Sequence, residues 1–352
     1  MAMDLDPSQA EPAALDQPGL ATTNPENASS ASQQFDYELV YSLQGHQKGI
    51  SSVAISPSGL LLATASADAS LKIWSLELGS LLHTFTGHAG GINDVSWSAD
   101  SIYIATCSDD KSIRVFNILT KQQVRHFAEH TSYVLCLSYN VQSTLLVSGS
   151  FDETVRLWNV ARNKCHRVIM AHSEAVSAVD FNRDGTMIVS ASYDGLIRLW
   201  DTTTGQCLKT LVHKDQSPIG FVKFSPSSAQ LLCSSLDSTI RLWDIYNTKI
   251  VKTYLGHTNT KFAINAALVL ANPGADNVDA NSQLLVASGS EDHKVYFWNL
   301  QTKEIVATIP AHKDTVISVD LHPTLPIIAT GALEHDHTVK VWFRRPHTRE
   351  QE

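Results

Sequence analysis

GHQKGISSVAISPSGLLLATASADASLKIW, the run from Gly45 to Trp74, holds a histidine, an aspartate 22 residues later and a tryptophan six beyond that. These landmarks return along the chain. The aspartates are Asp68, Asp110, Asp152, Asp194, Asp237, Asp292 and Asp336. Six residues after each stands Trp74, Phe116, Trp158, Trp200, Trp243, Trp298 or Trp342. His46, His88, His130 and His172 precede the first four aspartates by 22 residues, and His213, His257 and His312 continue the series less regularly. A period of about 42 residues, met seven times, marks a repeat architecture in which no unit buries its apolar face alone.

Inside one unit the pattern is that of strands. Ile50–Ile55 alternates and stops at the turn Ser56-Pro-Ser-Gly59, Leu60–Ala65 follows, and a tight turn around Asp68 leads into Leu71–Trp74 and then Leu81–Phe85. Four short strands in each of seven units predict an all-β, seven-bladed β-propeller. The last unit stops at Val341-Trp-Phe343, after its third strand, while a spare alternating strand, Tyr37–Leu43, precedes the first. That N-terminal strand is expected to complete the seventh blade, closing the ring and removing a sheet edge.

The propeller is expected over residues 35–344. In unit six the histidine-to-aspartate gap is 35 residues rather than 22, which predicts an inserted surface loop at 271–283. Residues 1–34 carry five acidic residues and no Lys or Arg, and read as a disordered acidic tail, either passive or regulatory. Residues 345–352 read as a polar C-terminal tail.

A net charge of −9 argues against a general nucleic-acid or anionic-membrane binder. The five cysteines form no C-x-x-C pair, and there is no run of 18 apolar residues, so a soluble, intracellular protein with buried structural thiols is expected. No H-E-x-x-H, phosphate loop or G-x-S-x-G supports an enzyme, and no catalytic residue, metal or cofactor is assigned. Glu334-His-Asp-His337 reads as a polar turn. The histidines and aspartates are read as structural because a catalytic group is needed once, whereas a blade-stabilising group is needed in every blade. The serine two residues before the aspartate (Ser66, Ser108, Ser150, Ser192, Ser235, Ser290) is expected to link histidine, aspartate and the tryptophan N–H in a buried polar network.

With Trp-Asp at Trp200-Asp201 and Trp243-Asp244, Trp-Asn at Trp158-Asn159 and Trp298-Asn299, and Gly-His at Gly45-His46, Gly87-His88 and Gly256-His257, residues 37–343 resemble the WD-repeat family. Ser148–Trp158, Ser192–Leu196, Gly205–Leu211, Phe221–Pro226 and Asn299–Val306 are similar to the WD-repeat protein five branch. That resemblance implies a non-catalytic, nuclear scaffold of COMPASS-type histone methyltransferases. Such a scaffold holds the SET-domain subunit and its companions for methylation of the fourth lysine of the histone-three tail. It implies a monomeric propeller within a hetero-complex, with the histone tail as a further candidate partner.

The branch binds an arginine peptide at one mouth of the channel, the guanidinium lying between two phenylalanines. Ser51, Ala67, Asp109, Phe151, Ser177 and Tyr193 match the branch's residue types there. The two sandwiching positions are Leu135 and Asn265, and Asn93, Gly220 and Phe262 replace two serines and a tyrosine. Losing each aromatic face removes roughly 1–2 kcal/mol of attraction when desolvated, so weak or absent arginine-peptide binding is expected. The resemblance places a second partner cleft at Ser227, Gln230, Leu242, Leu268, Leu270 and Gln301, although Leu242 is equally readable as core. Two other scaffold roles stay open: one in RNA processing or signalling, and one as a ubiquitin-ligase adaptor. The adaptor role needs a docking helix that residues 1–34 do not supply.

Overall fold

In a computed structural model of the chain, residues 37–270 and 284–344 are described. The acidic tail, the 271–283 insertion and the polar C-terminus therefore lie outside the described residues. Twenty-eight strands form seven separate four-stranded antiparallel sheets, and no helix occurs among the described residues. Six blades each use four consecutive strands. The seventh runs outward through Val316–Leu321, Ile327–Ala332 and Val339–Arg344 and ends on Tyr37–Leu43. Tyr37 pairs with Arg344 and Leu43 with Val339, so the strand expected to close the ring does so.

Burial explains why different strands of one blade read differently in sequence. The second strand of the first blade, Leu61–Ser66, is buried at five successive positions, because neighbouring blades cover both of its faces. The outermost strand of the third blade, Lys164–Met170, exposes alternate residues. Seven clusters of apolar side chains fill the blades and the spaces between them. In one, Ala63, Leu71 and Phe85 of the first blade meet Ile92, Trp97 and Phe116 of the second.

Two features of the innermost strands shape the channel. In six blades the first strand carries a bulge, which leaves Ser51, Asn93, Leu135, Ser177, Gly220 or Ile317 as the extra residue. The sixth blade pairs Ala266–Leu270 with Leu284–Ser288 without one. A bulge turns its side chain away from the regular alternation. Side chains also stitch blade to blade. Asp94 accepts from Ser52 Oγ at 2.9 Å and from the Leu137 N–H at 3.1 Å. Asp180 accepts from Ser138 Oγ at 3.1 Å and the Phe224 N–H at 3.0 Å. Asp320 accepts from the Ile55 N–H at 2.7 Å, across the closure of the ring.

Candidate functional site

The repeated histidines and aspartates form a relay in five blades. In the first, His46 Nδ1 lies 3.0 Å from Asp68 Oδ2, and Nε2 lies 2.8 Å from Thr64 Oγ1. Trp74 Nε1 donates to the same hydroxyl at 2.9 Å. Ser148, Ser190 and Thr330 serve His130, His172 and His312 in the same way. Thr106 serves His88, with Phe116 in the tryptophan's place. Because the carboxylate can only accept, Nδ1 carries the hydrogen that faces it, and Nε2 of the neutral ring accepts from the hydroxyl, which in turn accepts from the tryptophan N–H where there is one.

The linking hydroxyl stands four residues before the aspartate (six before Asp336), not the two expected from the sequence. Ser66, Ser108, Ser150 and Ser192 instead accept the aspartate's own N–H at 3.1 Å and donate to a backbone carbonyl, which fixes the turn. Ser290 does the same for Asp292. Both positions lie on one face of the strand, and only the one farther from the turn sits beside the indole.

Blades five and six depart from the relay, so Asp237, His257 and Asp292 are not network members as expected. His213 Nδ1 pairs with Asp215 at 3.2 Å, and Arg241 takes Asp237 and Ser235. Cys233 occupies the hydroxyl position, which leaves the buried Trp243 Nε1 without a partner. In blade six the Tyr296 hydroxyl reaches Asp292 at 2.5 Å, and Trp298 donates to the Leu255 carbonyl at 2.8 Å. His257 is 4% exposed, and neither of its ring nitrogens has a hydrogen-bond partner among the described residues.

Burial lowers the pKa of all six of these buried histidines, to about 4 for His257 and His312. Burial alone would raise the aspartates. Hydrogen bonds outweigh it: from Ser70, the Gln47 N–H and His46 at Asp68, and from Ser112, His88 and the Ala89 N–H at Asp110, holding both at about 2. The relay therefore consists of neutral imidazole on ionised carboxylate.

A cavity of about 630 Å³ opens at one mouth of the channel, and all six bulge residues line it. Of the positions expected at the peptide pocket, Ser51, Ala67, Asn93, Leu135, Ser177, Tyr193, Phe262 and Asn265 also lie on its wall. Asp109 and Phe151 do not. Asp109 is held beside the mouth by Asn93 Nδ2 at 2.8 Å, and Phe151 is 56% exposed against Tyr133.

Much of the polar lining is already engaged. Ser51 Oγ donates to the Ile92 carbonyl at 2.5 Å, Asn93 Nδ2 to that of Val134 at 2.9 Å and Ser177 Oγ to that of Ile219 at 2.5 Å. Each of these bonds ties a blade to the next. Gly220 has no side-chain donor, and a Cβ there would lie 2.9 Å from Ala263 Cα, so glycine lets blades five and six approach. Asn265 accepts from the Val319 N–H at 2.7 Å and donates to Ser318 Oγ at 3.2 Å. It joins blades six and seven.

The rest of the wall divides by character. Tyr193, Phe221, Phe262 and Leu135 are apolar or aromatic, whereas Asp94, Asp314 and Glu334 bring carboxyl groups. Burial pushes Asp94 up to about 6. Such a wall suits an amphipathic, cationic side chain. In the Glu334–His337 turn, Asp336 serves the blade-seven relay and His337 Nδ1 lies 3.2 Å from the Glu334 carbonyl. Among the described residues, no group of three or more His, Cys, Asp or Glu is placed to hold a metal ion.

The second cleft is brought together only in part. Leu242 is 2% exposed and packs with Tyr254, Val286 and Trp298, so it is core and not docking surface. Its strand is covered on both faces. Leu268 lines a separate cavity of about 170 Å³ with Lys223 and Asp320. Gln301 Oε1 accepts from Lys252 Nζ at 2.8 Å, Ser227 Oγ lies 3.0 Å from Ser225 Oγ, and Gln230 pairs with Asp244. The Leu270 side chain lies outside the described residues.

A further series escaped the sequence reading. Tyr41 donates to the Glu77 carbonyl at 2.8 Å and Arg125 to that of Val160 at 2.9 Å. Arg167 reaches Thr203 at 2.8 Å, Lys209 reaches Ile245 at 2.8 Å and Lys252 reaches Leu300 at 2.7 Å. Each donor sits on an outermost strand and clamps the outer turn of the next blade. The signal was a donor recurring at the repeat period.

A family model described as the WDR5 beta-propeller domain matches residues 42–343. Among curated proteins, the chain is similar to the WD repeat-containing protein 26 homolog of Arabidopsis thaliana, 32% identical over 95 residues, which is 27% of this chain and 14% of that protein. It is also similar to the Drosophila melanogaster protein of the same description, 31% identical over 97 residues, 28% of this chain and 14% of that protein. The matched stretches span about a seventh of the length of these curated relatives.

Proposed function

Since the chain belongs to the WD-repeat β-propeller family, we propose that it is a non-catalytic scaffold subunit of a COMPASS-type histone methyltransferase complex, resident in the nucleus. It would hold a SET-domain subunit and companion proteins together. The observation that carries this reading is the match to the WDR5 beta-propeller domain over 42–343, which takes in all seven blades almost end to end. The channel mouth supports a modified form of it. The cavity and its carboxyl groups are present, but Leu135 and Asn265 stand where aromatic faces would grip an arginine. Assembly would then rely on other surfaces of the ring.

Tagged purification with mass-spectrometric identification of stable companions tests the assignment. A stoichiometric SET-domain methyltransferase is expected, and its absence beside a different stable set overturns it. At the mouth, an arginine-peptide titration is expected to show weak binding that Leu135→Phe with Asn265→Phe strengthens. No gain in the double variant removes the arginine pocket from the proposal. The second reading is a WD-repeat scaffold in another complex, in RNA processing, signalling or ubiquitin ligation. The altered mouth and the similarity to the two WD repeat-containing protein 26 homologs favour it.

A further inference from the structure

The outer rim of blades two and three reverses the sign of the chain's charge. From the residue after the repeat's tryptophan position to the end of the outermost strand, blade two spans 117–127 and blade three 159–170. Together these stretches hold Lys121, Arg125, Arg162, Lys164 and Arg167, the histidines His126 and His166, and no Asp or Glu. The corresponding stretch of every other blade holds a carboxylate: Glu77, Asp201, Asp244, Glu304 and, on the closing strand, Glu38. The two basic stretches abut, since Arg125 Nε donates to the Val160 carbonyl, two residues before Arg162, at 2.9 Å.

Arg125 and Arg167 are engaged in clamping the next blade. Lys121, Arg162 and Lys164 are exposed, and among the described residues their side chains make no hydrogen bond or ion pair. The strand that carries Lys164 is a sheet edge, outermost in its blade. Its exposed positions are Lys164, His166, Val168 and Met170. A bulge at His166 sets Lys164 on the face opposite Val168, 44% exposed, and Met170, 82% exposed. An added strand with alternating side chains would therefore meet charge on one face and apolar surface on the other.

We propose that this rim docks an acidic polypeptide segment, extended along the edge strand Lys164–Met170. Its carboxylates would lie over Lys121, Arg162 and Lys164, and apolar side chains would cover Val168 and Met170. An edge strand offers backbone hydrogen bonds to an added strand, with alternate side chains supplying selectivity. Charge complementarity then selects partners and speeds association. A nucleic acid fits less well. It would meet cations but no exposed aromatic side chain in either stretch, and stacking platforms are what single strands use. The apolar pair would also stay uncovered. The surface lies on the outer rim, apart from the channel mouth, so the inference stands whether or not the COMPASS reading does.

The test uses the full chain and a fluorescent ten-residue probe peptide of alternating Glu and Val. Controls are the same peptide with Gln for Glu, and a labelled single-stranded oligonucleotide. Anisotropy titrations at about 50 mM and about 200 mM salt bracket the range over which surface charges become screened. The acidic probe is expected to bind with salt-sensitive affinity, the Gln probe on the order of tenfold more weakly. Lys121→Glu, Arg162→Glu and Lys164→Glu together should abolish the difference between the two probes. All three residues are exposed, so folding is not at risk, and the charge-conserving Lys164→Arg should bind as the wild type does. The uncharged Met170→Ser should weaken the acidic probe while leaving the oligonucleotide unchanged. The proposal is overturned if the acidic probe does not bind, if the triple Glu variant binds it unchanged, or if the oligonucleotide binds more tightly and is the ligand the triple variant loses.

Discussion

A single oxygen decides whether a blade's buried indole and imidazole are both satisfied. Thr64 Oγ1 lies within hydrogen-bond distance of Trp74 Nε1 and His46 Nε2. Thr64→Val keeps the shape and strands both nitrogens, and each unsatisfied buried group costs roughly 1–3 kcal/mol. A loss on the order of 2–4 kcal/mol is expected in urea unfolding, with Thr64→Ser close to wild type. Blade five offers the reverse experiment. Cys233 holds the place that Ser148 and Ser190 hold in blades three and four, and Trp243 Nε1 is unpartnered. Cys233→Ser should stabilise the protein by about 1 kcal/mol, the net worth of one hydrogen bond. A lower unfolding midpoint would show that the indole does not face that position. The sequence displayed the histidine, aspartate and tryptophan but misplaced the hydroxyl, because both Thr64 and Ser66 are small, hydroxylated and on one face of the strand. The departure of blade six was readable four residues beyond the aspartate, where Tyr296 stands in place of the Lys or Arg of every other blade and takes Asp292.

Strands were legible wherever one face met solvent or a turn broke the run, which covers all four strands of the first blade. The inner bulges were not. Ser51, Asn93 and Ser177 share a side-chain donor, but Leu135, Gly220 and Ile317 have none, so what all six have in common is a backbone register. The clamps could have been read. Arg125, Arg167, Lys209 and Lys252 recur at 42, 42 and 43 residues, hidden only because apolar landmarks carried the reading. Ala307 ends the series for a physical reason. The blade that follows is closed by Tyr37–Leu43, so it has no turn joining its last two strands and no turn carbonyl to clamp. Arg167→Met removes the bonds to the Thr203 and Thr204 carbonyls and keeps the aliphatic stem. Hydrogen exchange is expected to quicken in the 201–206 turn and stay unchanged in the 244–249 turn. Uniform change across both would make the clamp a global contribution instead of a local one.

Over the whole molecule, acidity sets two groups of residues against each other. Six buried histidines are held below their unfolded pKa of about 6.5. Their contribution is complete above that value and is lost as pH falls toward about 4, because the unfolded chain takes up the protons first. Asp94, Asp180 and Asp320 are raised by burial. Their contribution is complete below the unfolded carboxylate value and is lost as pH rises, through about 6 for Asp94. The histidines outnumber the raised aspartates, so the urea midpoint should fall between pH 7.5 and pH 5, both about the unfolded histidine value. Asp94→Asn should steepen that fall, and a midpoint that rises on acidification contradicts the assignment. The depressed Asp68 and Asp110 lose their contribution only below about pH 4, toward about 2.

Closure of the ring also fixes how the molecule bears load. Tyr37 and Arg344 face each other at the same end of the closing pair, and the register runs from there to Leu43 and Val339. A pull applied at those two residues draws them apart sideways and opens the bonds of the pair in turn, as a zip opens, with no two rungs sharing the tension. The same seventh blade that seals the circle is therefore where it is mechanically soft. Once that seam parts, blade seven keeps only three strands, and its innermost strand still holds blade one through the bonds from the Val53 and Ile55 N–H groups to Ser318 and Asp320.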